Sequence, residues 1–161
     1  MSKVSRTVQI SAPVEAVFAY YARPEHIAKT FPEDVKMKVI PIKVTEGFGI
    51  GTVFRITGDF GGRNLEWDME TTAYDANKLI RVSAINGPFK KNVISVLFDQ
   101  TGENETNLTF EADYELGYSL LGKTIDKLRV RKEVEMGIER SCATVKQYIE
   151  AGKKPQEISA A

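Results

Sequence analysis

The chain has 161 residues and carries 22 basic and 22 acidic side chains. One domain is expected at this length, large enough to bury about 70% of its unfolded surface without covalent staples. A net charge of zero withholds the general attraction to a phosphate backbone, so nucleic acid is not an expected partner. The single cysteine, Cys142, excludes an internal disulfide or a multi-thiolate zinc site, and no metal or cofactor is expected. The first ten residues lack the apolar stretch of a secretory signal, and no apolar run nears the ~20 residues that span a bilayer. Cytoplasmic localisation without stable membrane insertion is therefore the expectation.

The predicted elements follow in chain order. Val4, Val8 and Ile10 alternate with polar residues as in a strand. Pro13 opens a helix with Glu15 near its N-terminal dipole. Val14, Val17, Phe18 and Tyr21 fall on one face of that helix, and Arg23-Pro24 breaks it. A second short helix runs from Glu25 to Phe31 and stops before Pro32. From Val35 to Leu116 the apolar period is two, with turn chemistry at 47–51, 61–62, 75–77, 86–88 and 101–104, which predicts a six-strand meander. Helical period returns from Tyr118 to about Ala151, with Gly152 as the stop. The domain is drawn at 1–152 and the remainder, 153–161, reads as a polar, frayed tail.

Turn positions then assign faces. A two-residue turn at Gly61-Gly62 puts Phe54 opposite Met69 and Ile56 opposite Trp67. A two-residue turn at Ala76-Asn77 puts Ala73 opposite Ile80, Thr71 opposite Val82 and Met69 opposite Ala84. Both registers place the same residues on one side, and a one-residue slip would flip them all. Leu108, Phe110, Ala112, Tyr114 and Leu116 join that side. The strand through 93–98 is apolar on both faces; the bulkier Ile94, Val96 and Phe98 are favoured as inner over Val93, Ser95 and Leu97. The opposite face carries Arg55 across from Asp68, with Glu66, Glu70 and Arg81 nearby, and reads as a solvated surface with cross-strand ion pairs.

The inner face needs a cover, and the C-terminal helix is the one element long enough. Its apolar stripe thins through 129–137, so incomplete packing there is expected. A curved sheet around one helix tends to leave an apolar internal space that takes ligands. The fold class is α+β: a curved antiparallel sheet of about seven strands around a long C-terminal helix, with two short helices after strand 1.

The stretch Val8-Gln9-Ile10-Ser11-Ala12-Pro13-Val14-Glu15-Ala16-Val17-Phe18 resembles the opening of the SRPBCC helix-grip superfamily. That superfamily embraces START lipid-transfer domains, the birch pollen allergen, and polyketide cyclases/dehydrases with lipid-transport proteins. Arg23-Pro24-Glu25-His26-Ile27 is similar to its second helix, though Lys29-Thr30-Phe31 stands where a tryptophan is common. Glu46 to Thr52 resembles its glycine-containing turn, and Leu120-Leu121-Gly122-Lys123 the start of its long helix. The resemblance spans about 3–151 and implies a hydrophobic cavity between sheet and helix. It does not settle the ligand, since one fold hosts many functions.

The ligand-facing set expected from these faces is Phe54, Ile56, Trp67, Met69, Val82, Val96, Phe98, Phe110 and Tyr114, with Tyr118, Leu121, Ile125 and Leu128 from the helix. Tyr114, Tyr118, Thr71, Asn86 and the indole of Trp67 are its polar handles. No carboxylate, imidazole, ammonium or thiol belongs to it, so no catalytic residue is assigned. The glycine loop 47–51 leads into a strand rather than a helix, which disfavours phosphate binding and favours a hairpin turn or cavity-mouth flap. Cys142 reads as a core thiol, His26 as a surface residue, and Lys127 to Lys132 as a solvated helix face balanced by Glu133, Glu135 and Glu139. Binding of a small hydrophobic molecule is the leading expectation. A cyclase or dehydratase in which Tyr114 or Tyr118 polarises a carbonyl, and a homodimer through the apolar outer side of 92–98, stay open as alternatives.

Overall fold

The computed structural model describes residues 2–60, 62–121 and 127–155. Strand β1 (Ser2–Ile10) leads into helices α1 (Val14–Tyr21) and α2 (Pro24–Ala28). The meander comprises β2 (Lys38–Lys43), β3 (Val53–Phe60), β4 (Arg63–Asp75), β5 (Leu79–Ala84), β6 (Phe89–Gly102) and β7 (Glu105–Leu116). Helices α3 (Tyr118–Leu121) and α4 (Lys127–Glu150) follow. The sheet is antiparallel, ordered β1-β7-β6-β5-β4-β3-β2. The first strand therefore pairs with the last, and α1 and α2 carry the chain across the open end of the sheet to its other edge. The helix-grip expectation holds.

The register of β3 with β4 is as read from the Gly61-Gly62 turn: Phe54 meets Met69 and Ile56 meets Trp67. The β4–β5 hairpin differs near its turn. Its loop has three residues, 76–78, with Asn77 left-handed at φ 62° and the Lys78 N–H donating to the Asp75 carbonyl. Ala73 therefore opposes Arg81 and Tyr74 opposes Ile80. A bulge between Thr71 and Ala73 restores the expected pairs, Thr71 with Val82 and Met69 with Ala84. Ile94, Val96 and Phe98 are the inner set of β6; Leu97 is exposed on the other side.

Two other boundaries shift. The strand read from Val35 begins at Lys38, because Pro32 starts a single 3-10 turn, Glu33–Val35, closed by Lys36 at φ 50°. Helix α2 ends at Ala28, short of Phe31, where the Thr30 hydroxyl donates to the Ile27 carbonyl. At the end of α4, Gly152 at φ 76° donates its N–H to the Ile149 carbonyl and stops the helix as expected. The first residues of the stretch read as a tail are held: the Tyr20 hydroxyl donates to the Lys153 carbonyl, the Lys153 ammonium sits over the Tyr148 ring, and Pro155 is buried. Among the described residues no helix is long and apolar enough to cross a membrane.

The core is divided. The larger cluster joins α1, the C-terminal half of α4 and the inner faces of β1, β7 and β6, with Val17, Leu108 and Val145 fully enclosed. A smaller cluster of Phe54, Trp67 and Met69 sits on β3 and β4. Half-buried Leu65, Val82, Phe89 and Ile94 touch both. Helix α4 leans on β1: the Arg6 guanidinium donates to Glu139 Oε1 at 2.7 Å, and the Lys146 ammonium donates to the Gln9 carbonyl. Its buried stripe is Ile138, Ser141, Cys142, Val145 and Ile149, which begins at the middle of the helix and runs to its end.

On the convex face, Arg55 donates to both oxygens of Asp68, at 2.9 and 3.3 Å, and Asn86 Nδ2 donates to the second at 2.9 Å. The Asp68 N–H donates to Asn86 Oδ1, so Asn86 ties the β5–β6 turn to β4. Gly87, at φ 99°, lets that turn close on Trp67; a Cβ there would lie 2.3 Å from the Trp67 Cβ. The Arg55 and Asn86 hydrogen bonds hold the Asp68 carboxyl below its usual range. Because the depressed carboxyl favours the folded state when ionised, its contribution is present above the ordinary carboxylate pKa and lost as pH falls through the lowered one. Its partners shield it rather than depth, so Asp68→Asn is expected to cost about 1–2 kcal/mol at pH 7. Urea titrations from pH 7 down to pH 2 should show a shallower acid loss in the variant than in the parent.

Candidate ligand cavity

A cavity of about 1010 Å³ separates the two core clusters. Its floor is the concave face of β3 to β7, its roof the N-terminal half of α4, and its end the segment from α2 to β2 together with the β3–β4 hairpin. That volume lies at the top of the ~300–1,000 Å³ range of small-molecule sites. The helix roof is thin as the sequence suggests: Val130 and Val134 face the space, while Arg129 to Glu133 and Arg131 to Glu135 pair along the solvent side at 3.3 and 3.1 Å.

Of the expected ligand-facing residues, Phe54, Trp67, Met69 and Ile56 line the cavity from β3 and β4. Val82, Val96, Phe110 and Tyr114 line it from β5, β6 and β7. Phe98 does not. It lies beyond Val96, where α1 covers the sheet, with its ring 5.1 Å from Phe18 and 5.7 Å from Tyr21. Tyr118 and Leu128 point outward, 84% and 71% exposed. Two residues on a helix are about 200° apart. Leu120, two beyond Tyr118, is buried on the cavity wall, and Val130, two beyond Leu128, faces the space. Ile125 and the side chain of Leu121 lie outside the described residues.

Several wall residues escaped the sequence reading. Ile27 and Phe31 come from α2 and the turn after it, Val35 and Met37 from the approach to β2, and Val39 from β2 itself. The stretch holding Ile27 and Phe31 carries no period by which an inner side could be read, and Val35, Met37 and Val39 alternate without a tight turn to fix which side is inner. Phe48 is a partial exception, since a hairpin turn or cavity-mouth flap is what the glycine loop 47–51 suggests. The loop does bring Phe48, at φ 57°, to the cavity, where the Arg23 guanidinium lies 4.5 Å from its ring centroid.

The polar groups sort by depth. Asp34, Asp59, Arg63, Arg129, Glu133 and Arg140 touch the space but are exposed or half-exposed, so they form a rim of mixed charge. The buried polar side chains on the wall are Thr52, Thr71 and Asn92, all neutral. Thr52 is engaged: its hydroxyl and that of Thr45 are 2.7 Å apart. Asn86, expected inside, instead holds Asp68 on the convex face. The Trp67 indole N–H points at the Met69 sulfur, 3.1 Å away.

Neither phenol considered for carbonyl polarisation offers its hydroxyl to the cavity. Tyr118 faces solvent, and the Tyr114 hydroxyl is sealed from open space without a partner while its ring forms wall. Burial raises the Tyr114 pKa. The Tyr21 hydroxyl is likewise sealed and unpartnered; burial first, then the nearby Cys142, raises its pKa. Cys142 lies close enough to influence that phenol without satisfying it, and burial pushes the thiol up to about 11. It is a neutral core group. His26 is half-buried on α2, its Nδ1 3.4 Å from the Ala19 carbonyl.

No curated protein matches the sequence. The family described as polyketide cyclase / dehydrase and lipid transport matches residues 1–150. Among solved structures, a protein from Thermus thermophilus superposes with a TM-score of 0.76 at 21% identity, covering 94% of this chain and 99% of that one. A START superfamily protein from Mycobacterium smegmatis gives 0.75 at 17% identity over 94% and 99%. The Zhui aromatase/cyclase from a Streptomyces species, R1128, gives 0.71 at 18% over 94% and 92%. At those identities the structures speak for the fold alone. The family match carries more: the chain belongs to the polyketide cyclase / dehydrase and lipid transport family.

Proposed function

We propose, from membership of this family and from the cavity, that the protein carries or senses a small hydrophobic molecule held between the concave sheet face and α4. The observation that carries this reading is a space of about 1010 Å³ whose buried polar side chains, among the described residues, are all uncharged. Phe54, Ile56, Trp67 and Met69 would contact the ligand on one side, and Val82, Val96, Phe110 and Tyr114 on the other. Burying about 300 Å² of ligand surface contributes roughly 7–8 kcal/mol. Ordering and desolvation take back several kcal/mol, which leaves affinities that are micromolar or weaker. That suits reversible carriage or sensing.

Trp67 is the sole tryptophan and stands on the wall, so its emission reports occupancy. Titration with naphthalene-based probes and medium-chain lipids is expected to give saturable changes at micromolar to millimolar concentration, with matching complexes in native mass spectrometry. Failure of every probe to bind would refute the reading. Val82→Trp, which fills the middle of the floor, is expected to weaken probe binding by on the order of tenfold or more.

Tyr118→Phe and Leu128→Ser provide the contrast. Both side chains face solvent, so probe affinity is expected to stay within about twofold of the parent and stability within about 0.5 kcal/mol. Loss of binding in either variant would place those residues at the site after all.

A further inference from the structure

Asn92 stands apart on the cavity wall. It occupies the inner-face position of β6 before Ile94, opposite Tyr114 on β7, and is 8% exposed. Among the described residues its side-chain amide meets no hydrogen-bond partner. Nor is it one of the atoms that are both sealed from open space and unpartnered, which among the described residues are the Tyr21 and Tyr114 hydroxyls and one Glu25 oxygen. A side chain more than nine-tenths buried, yet with its amide open, can be open only to the cavity it lines. An amide in that setting is costly unless something in the space bonds to it.

We infer that Asn92 is the polar anchor of the ligand, and that the ligand is an uncharged, largely apolar molecule bearing a carbonyl or hydroxyl oxygen. This rests on the reading of the cavity as a ligand site. The amide both donates and accepts, so it serves either oxygen type. Charge is what the surroundings refuse. Among the described residues the other buried polar side chains on the wall are the hydroxyls of Thr52 and Thr71, while Arg63, Arg129, Arg140, Asp34, Asp59 and Glu133 are exposed or half-exposed at its rim. A carboxylate brought to Asn92 would lose its water without gaining a counter-charge.

Thr71 gives the ligand a second point. It is 3% exposed, lines the cavity, and its hydroxyl also meets no partner among the described residues. Thr71 pairs with Val82, and Val82 with Ile94, two residues beyond Asn92. Two strand spacings across and one pleat repeat along place the positions about 12 Å apart. A rigid molecule of that length with an oxygen near each end would engage both.

The test compares 2-acetylnaphthalene with 2-isopropenylnaphthalene, which differ in one carbonyl oxygen against one methylene group. Affinities of both are measured for the parent and for Asn92→Leu. The ketone-to-hydrocarbon affinity ratio is expected to fall about 3- to 10-fold in the variant, the worth of one hydrogen bond. An unchanged ratio with both probes still bound overturns the anchor while leaving the cavity reading intact. If neither probe binds the parent, both readings fall. 2-Naphthoate at pH 7 is expected to bind the parent at least 10-fold more weakly than the ketone, and tighter binding overturns the uncharged class. The parent alone gives an independent readout should the variant not fold. The carbonyl stretch of bound, carbonyl-¹³C-labelled 2-acetylnaphthalene is expected below its frequency in hexane, and a band at the hexane frequency overturns the anchor.

Discussion

One helix is too narrow to cover seven strands. At about 4.8 Å per spacing the sheet is roughly 29 Å wide, while a helix with its side chains is about 10–12 Å across. Helix α4 does not lie down the middle of that width. Ile138, Cys142, Val145 and Ile149 fix its second half beside β1 and α1, and Arg6 and Lys146 fasten the same half from the sheet edge. The far strands, β3 and β4, are left with their own small cluster of Phe54, Trp67 and Met69. Space between the clusters follows from these widths. The connection from α2 to β2 is too short and irregular to fill it and only closes one end.

The pleat made much of this legible from the chain. Period two assigns every residue of a strand to a side once one pair is known, and the tight Gly61-Gly62 hairpin supplied that pair. The second hairpin shows how robust such a reading can be. Its loop is one residue longer than the two-residue turn assumed, and a bulge at Thr72 adds one residue back, so the strand beyond the bulge keeps its expected partners. Had the loop lengthened without the bulge, Thr71 and Met69 would have turned to the convex face. The inner parity of β6 also contained Asn92, since 92, 94, 96 and 98 share a side. Asn92 went unread because a polar residue at a strand end is easily assigned to the turn beside it.

Helical phase was harder to read, for a physical reason. A stripe is defined by its apolar residues, and α4 has few before Ile138. Leu128 belongs to the sequence pattern but not to the face continued by Val130, Val134 and Ile138. Tyr118 failed in the same way against Leu120. In both cases the neighbour two positions on carries the contact instead. The segments 23–34 and 45–52 form much of the cavity's end and carry no period, so Phe31 and Phe48 could be placed only in three dimensions.

The two halves of α4 are built from different interactions, and the difference bears on occupancy. The second half is held by burial, by the Thr30–Ser141 hydroxyl contact and by the Glu150 carboxylate, which accepts from the Ser11 N–H. The described part of the first half rests over empty volume on Val130 and Val134, with surface ion pairs that contribute only a few tenths of a kcal/mol each. Dispersion contacts absent across a void are contacts a ligand can supply. A bound apolar molecule would therefore stabilise this half of the helix more than the other, because the second half already has its partners. The place where the protein is least packed is thus the place where a ligand adds most, and the sheet's excess width over its single long helix puts it there.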